Sequence, residues 1–254
     1  MKCSPTEMMI TSAARELRDG DSVLVGVGVP NLACNLAKLT HAPDLQMIYE
    51  SGTIDSDPES LPLSIGDPIL ATGARSIVPM YQGFSMYLQA ERIDAGFIGG
   101  AQIDRWGNIN STVIGDYEDP TVRLPGSGGA CEIASNVERT LIISPHEKRR
   151  FPEEVNFITS PGYVNGRDGR NELNLRGGPA AVITDKAILR FDDGGEMYVD
   201  SIHPESTKEA VQQATGWEIS FSDNLGITPS PDKRDIETIR TELDPDGMYI
   251  DNDR

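Results

Sequence analysis

The strongest constraint on the fold is an alternation that runs up to Gly100. SVLVGVGVP (22–30) is a short β-branched run ending in a glycine turn, NLACNLAKL (31–39) has helical spacing, and LQMIYE (45–50) is a second apolar run. SMYLQAERI (85–93) then reads as a helix and DAGFIGG (94–100) as a strand closed by paired glycines. Strands separated by helix-length segments are joined by crossovers, which makes them parallel. Later the pattern changes. QIDRWGNINSTVI (102–114) turns at Trp106-Gly107-Asn108, and PAAVITDKAILRFDD (179–193) turns near Asp185-Lys186, both in hairpin form. Strands alternating with helices first, and hairpins commoner later, predict an α/β fold with a mixed sheet rather than a purely parallel one.

The remaining segments fit this frame. Ser4, Pro5 and Glu7 spell a capping box with proline at the first helical position. Residues 51–81 are rich in Pro, Gly, Ser and Asp and read as loop with short helical turns. PGSGGA (125–130) leads into CEIASNV, TLIISP (140–145) and VNFITS (155–160) read as strands, and STKEAVQQATG is a helix stopped by Gly216. No linker divides the chain, so the expectation is a single domain over 1–254 with a helical tail, DIETIRTEL, from about 230.

Composition excludes several function classes. No apolar run approaches the ~18 residues of a membrane span. The N-terminal segment lacks the apolar core of a signal peptide, so the expected location is the cytoplasm. Cys3, Cys34 and Cys131 fit no metal spacing, and the three histidines are scattered, so no metal site is expected. The net charge is −18, from 40 acidic and 22 basic residues, and only six of the basic residues are lysines. Such a charge disfavours binding to nucleic acid or to anionic membranes. Acids dispersed along a lysine-poor chain point to a high-salt, halophilic cytoplasm, where screening relieves self-repulsion.

Four stretches can carry chemistry. GVGVPN (26–31) has the strand-to-helix setting of a dinucleotide fingerprint, but Asn31 replaces the third glycine and Pro30 removes a donor, which favours a tight turn. PGSGGA frees the backbone for close approach, and its N–H groups suit an anion or a developing oxyanion; the alternative is a structural turn. FIGGAQID (97–104) places Gly99, Gly100 and Gln102 where open sheets put their ligands, while Asp104 reads as a turn residue. HEKRR (146–150) is the one dense basic cluster, either a phosphate holder or a solvated salt-bridge patch. Glu50 is the most unusual. It ends an apolar strand just before Ser51 and Gly52, as a capped strand-end carboxylate, a ribose ligand or a nucleophile for acyl transfer.

Taken in order, GVGVP, YESG, GGAQID–GN–N, GSGGA, HEKRRF and TSPG resemble the β subunits of family I CoA-transferases, above all those of glutaconate CoA-transferase, from about residue 7 to LDPDGMYI. The resemblance implies an open α/β sandwich of the CoA-transferase / NagB–RpiA-like class. It implies that Glu50 is a covalent nucleophile that carries CoA as a glutamyl thioester between an acyl-CoA and a carboxylic acid, glutaconate-like or a 3-oxoacid. It implies that Gly128, Gly129 and Ala130 form the oxyanion and CoA-binding loop; the strand-end stretches themselves offer Ser51, Gly52, Gly99, Gly100 and Gln102 as candidate pocket residues. No bound cofactor is implied, since the CoA thioester is a substrate. The partner implied is a CoA-transferase α subunit, in a hetero-oligomer. Relatives that lack the ESG glutamate act as acyl-CoA hydrolases, so hydrolysis on the same fold is one alternative and a non-catalytic scaffold subunit is another.

Overall fold

The structure, a computed structural model, describes residues 3–250. The chain divides into two compact units. One gathers the chain up to Phe97 with the segment from Ser230 on, and the other is Ile98–Pro229.

The first unit opens with α1 (Pro5–Arg15), whose capping box forms as the sequence predicts: Glu7 N donates to Ser4 Oγ at 3.2 Å and Ser4 N to Glu7 Oε2 at 2.7 Å. It continues through β1 (Ser22–Leu24), α2 (Val29–Thr40), β2 (Gln46–Ile48), β3 (Thr53–Ile54), β4 (Ser76–Ile77), the short α3 (Met80–Gln82) and β5 (Ala95–Ile98). Within the sheet the order is β5-β1-β2-β3-β4. The β5–β1 and β1–β2 pairs are parallel, and β2–β3 and β3–β4 are antiparallel. Helix α2 buries Leu32, Ala33, Cys34, Leu36 and Ala37. The helix expected over 85–93 is instead a wider π-type turn at Gly83–Leu88 that follows α3.

The second unit holds β6 (Gln102–Ile103), β7 (Ile109–Asn110), β8 (Val113–Gly115), β9 (Pro120–Arg123), α4 (Ala130–Asn136), β10 (Arg139–Ile143), α5 (Arg167–Glu172), β11 (Gly178–Ile183), β12 (Ala187–Phe191), β13 (Met197–Ile202), α6 (Lys208–Gln213) and β14 (Ser220–Ile227). Its main sheet runs β14-β13-β12-β11-β10. Its outer pairs are parallel and the β11–β12 and β12–β13 pairs antiparallel, so this sheet is mixed as well. The β6–β7 and β11–β12 hairpins lie where the turn residues place them. The stretch 155–160, expected as a strand, is a loop. Only its end bonds to β7, where Thr159 N and Ser160 N donate to Ile109 O at 2.9 and 3.0 Å, while Phe157 and Ile158 face solvent.

From Ser230 the chain returns to the first unit. Asp232 caps α7 (Lys233–Thr238), and a π-type turn follows at Ile239–Leu243. There Arg240 reaches the buried Glu7 with Nε at 2.5 Å from Oε1 and Nη2 at 2.9 Å from Oε2. Burial alone would raise the Glu7 carboxyl, but the bonds from Arg240 and Ser4 outweigh it and hold the group below its usual range. Among the described residues no helix is long and apolar enough to cross a membrane, and no group of acidic, histidine or cysteine side chains is arranged to hold a metal ion. The three cysteines are unbridged.

Candidate active site

Glu50 does not continue the strand. β2 stops at Ile48, and Tyr49 N donates to Thr53 O while Gly52 N donates to Tyr49 O, both at 2.9 Å. These two bonds close a three-residue hairpin loop, Glu50-Ser51-Gly52, between β2 and β3. Such loops pair a tight turn with a final residue of positive φ, and Gly52 has φ of 97°. A side chain at Gly52 would also put its Cβ 1.9 Å from Val78 O, and Val78 N donates to Gly52 O at 2.9 Å. Glycine is required twice over, by conformation and by contact. Glu50 therefore sits at a hairpin tip whose backbone is fixed on both sides.

The Glu50 carboxylate is half-buried and has no hydrogen-bond or ion-pair partner among the described residues. Burial pushes its pKa above the ordinary carboxylate value. A strand-end carboxylate capped by backbone N–H groups would be held down instead. Ser51 Oγ lies 3.3 Å from Thr53 Oγ1 across the loop. Helix α2 supports the hairpin from below. Asn31 Nδ2 donates to the Tyr49 hydroxyl at 2.8 Å, Asn35 Nδ2 donates to Asn31 Oδ1 at 2.7 Å, and Lys38 pairs with Asp55. Sequence reading notes Asn31 only as a replacement for a third glycine and gives Asn35 and Lys38 no role. Their signal is polar spacing of i, i+4 and i+7 on an otherwise apolar helix.

In the second unit the glycine loop leads directly into α4. Gly126 and Gly128 have φ of 96° and 51°, and no atom stands within 4 Å of an added Cβ at either, so their role is backbone conformation rather than close packing. Ser127 orders the loop: its carbonyl accepts from Ala130 N at 3.0 Å and its Oγ from Cys131 N at 3.1 Å. Among the described residues the N–H groups of Gly128 and Gly129 meet no acceptor.

The paired glycines at 99 and 100 are packed against protein. A Cβ on Gly100 would lie 2.3 Å from Ile109 Cγ2, and one on Gly99 would lie 3.1 Å from Ile143 O. Gln102 is buried with both ends of its amide engaged. Its Oε1 accepts from Asn110 Nδ2 at 2.7 Å and Asn156 N at 3.1 Å, and its Nε2 donates to Asn156 Oδ1 at 3.1 Å. Asp104 closes the β6–β7 turn by accepting from Trp106 N and Asn108 N, each at 3.0 Å. In HEKRR, His146 is buried and Glu147 takes up both Arg149 (2.7 Å) and Arg150 (3.4 Å), which leaves Lys148 as the cation of the cluster without an ion pair among the described residues. Gly28 opens α2 with φ of 79° and packs near the Tyr249 ring.

Comparison with known proteins places the chain in a family. The family described as Coenzyme A transferase matches residues 6–214. The chain is 48% identical over 239 residues to the 3-oxoadipate CoA-transferase B subunit of Pseudomonas knackmussii, covering 93% of this chain and 92% of that protein. It is 41% identical over 251 residues to the glutaconate CoA-transferase B subunit of Acidaminococcus fermentans, covering 96% and 94%. The crystal structure of glutaconate coenzyme A-transferase from the same organism superposes with a TM-score of 0.91 at 39% identity, over 97% of each chain. With a family match across most of its length, and two long relatives of that family above 40% identity, the chain belongs to the coenzyme A transferases.

Proposed function

We propose that the chain is the catalytic β subunit of a CoA-transferase, with Glu50 as its covalent nucleophile. The observation that carries this reading is the Glu50 carboxylate itself. It is held on a rigid hairpin tip, half-buried and without any partner among the described residues. A carboxylate left unneutralised in this way costs stability and is available to a substrate.

In the proposed reaction one Glu50 oxygen adds to the thioester carbonyl carbon of an acyl-CoA. The carbon–sulfur bond breaks, CoA leaves as thiolate, and a mixed anhydride remains. The thiolate then adds to the Glu50 carbonyl and releases the donor acid, leaving a glutamyl-CoA thioester. An acceptor carboxylate attacks that thioester, and the same steps in reverse return Glu50 and a new acyl-CoA. The unpaired N–H groups of Gly128 and Gly129, with the backbone of Ala130, are assigned to the thioester. Ser51 and Gly52 are assigned to the pocket beside the nucleophile. Gly99, Gly100 and Gln102 have packing roles, and their assignment to the pocket rests on the place of this stretch at a strand end. The chemistry calls for no bound cofactor. The relatives named for 3-oxoadipate and glutaconate support a dicarboxylic acid as acceptor, and their names as B subunits support a separate α subunit. We place the enzyme in the cytoplasm of a high-salt host on its charge of −18.

The test uses the complex with its α-type subunit. Incubation with acyl-CoA followed by peptide mass spectrometry should map an adduct to Glu50. Glu50→Ala should lower transfer by ~10³-fold or more with assembly intact. An adduct elsewhere, or transfer at the wild-type rate in that variant, overturns the assignment. Thiol release that needs no acceptor acid would identify a hydrolase instead.

A further inference from the structure

We infer that Asn31, Asn35 and Lys38 of α2 are positioning residues for Glu50, acting through Tyr49 and Asp55 at the two feet of its hairpin. The inference rests on the reading of Glu50 as nucleophile.

The hairpin needs an external support. β2 has three residues and β3 has two, so the ladder bonds between them are few, and the contact of Gly52 with Val78 holds only the tip. The support comes from one face of α2. On the incoming strand, Asn31 Nδ2 donates to the hydroxyl of Tyr49, the residue before Glu50, at 2.8 Å. Both side chains are buried. The Asn31 amide has only one orientation open to it, because Asn35 Nδ2 donates to its Oδ1 at 2.7 Å and leaves Nδ2 for Tyr49. On the outgoing strand, Lys38 pairs with Asp55, which has φ of 53° and a side chain only 10% exposed. Arg75 Nη2 adds a contact to the other Asp55 oxygen at 3.3 Å.

Stability alone does not explain the buried amide–phenol pair. Apolar groups of the same shape in both places would be nearly neutral, since such hydrogen bonds contribute only ~1 kcal/mol net. Direction is what the polar pair adds. Hydrogen bonds fix angle and distance, whereas apolar contact does not. The directional contacts on this face of α2 end on the residue next to Glu50 and on the one that follows β3.

The experiment measures kcat and KM for acyl-CoA in the assembled complex, the melting temperature, and amide hydrogen exchange across residues 49–55. Tyr49→Phe, Asn31→Leu, the double variant and Lys38→Met are compared with wild type. Tyr49→Phe keeps the ring and the core, so the test survives if Asn31→Leu folds poorly. The expected result is a ~10–100-fold fall in kcat for each single variant, with KM within ~2-fold. The double variant should be no worse than either single, because both remove one interaction. Exchange should quicken ~10-fold in the loop amides alone. A lowered melting temperature with kcat near wild type would show a structural role only and overturn the inference, as would additive losses or unchanged loop exchange. If the wild-type complex transfers no CoA, or Glu50→Gln stays active, the functional reading fails instead. The exchange measurement, which needs no substrate, then decides the positioning role by itself.

Discussion

Two titratable residues, one half-buried and one buried, show how one physical effect serves opposite ends. Burial raises the Glu50 pKa, so the ionised form, which the proposed reaction uses, predominates only above a pH higher than the ordinary carboxylate value. The rate constant kcat/KM for acyl-CoA should therefore fall on acidification with a midpoint above that value, which a pH–rate profile will read. A raised folded-state pKa also means that the native chain gives up stability as pH climbs through that interval. Glu50→Gln should then be inactive yet melt higher than wild type at neutral pH. His146 is held neutral. Its ring nitrogens lie 3.0 Å from Thr215 Oγ1 and 3.3 Å from Thr184 Oγ1, its ring packs 4.3 Å from Phe151, and burial pushes its pKa down to about 4. Unfolding frees it to protonate near its ordinary value of 6.5. Its contribution is complete above that value and is lost as pH falls toward about 4. Urea titrations at about pH 7.5 and about pH 4.5 should differ by ~2–3 kcal/mol more in wild type than in His146→Gln. An equal difference in the two proteins would dismiss His146 as the source.

At the scale of elements, local signals work where their cause is local. The α1 capping box, the α6 helix ended near Gly216, and the hairpin at Asp185-Lys186 follow from residues a few positions apart, and all are present. VNFITS has strand composition but pairs only at its end, because its partner is the single residue Ile109. β14 escapes sequence reading because most of its residues face solvent, which leaves no alternation to read. The Glu50 hairpin is half legible. ESG carries the sequence of a three-residue loop, but the contact with Val78 that makes Gly52 obligatory comes from a remote segment. Glu7 is similar. Its place in the capping box can be read from the sequence, but its pairing with Arg240 spans 233 residues. Arg240→Met leaves the Glu7 carboxylate buried and short of donors. Chemical denaturation should register a loss of about 3 kcal/mol at neutral pH. The loss should shrink as pH falls through the Glu7 pKa, because a depressed carboxyl contributes only while ionised.

For the whole molecule, charge is the property that depends on no single contact. A net −18 generates self-repulsion that salt screens. The melting temperature should rise by about 5 °C or more between ~0.1 M and ~2 M KCl, as ~2 kcal/mol of relieved repulsion gives a chain of this length. A flat dependence would mark an ordinary acidic enzyme. The sequence by itself determined the charge, the α/β character with a mixed sheet, and Glu50 as the unusual carboxylate. Each of these is a sum over the chain or a pattern over neighbouring residues. Only the tertiary structure decided that Glu50 rides a hairpin tip rather than a strand end. It alone gave the α2 stripe of Asn31, Asn35 and Lys38 its targets on Tyr49 and Asp55, and closed the Gln102 amide with Asn110 and Asn156. The reason is that hydrogen bonds and van der Waals contacts act over a few ångströms in space, and folding alone brings distant segments within that range.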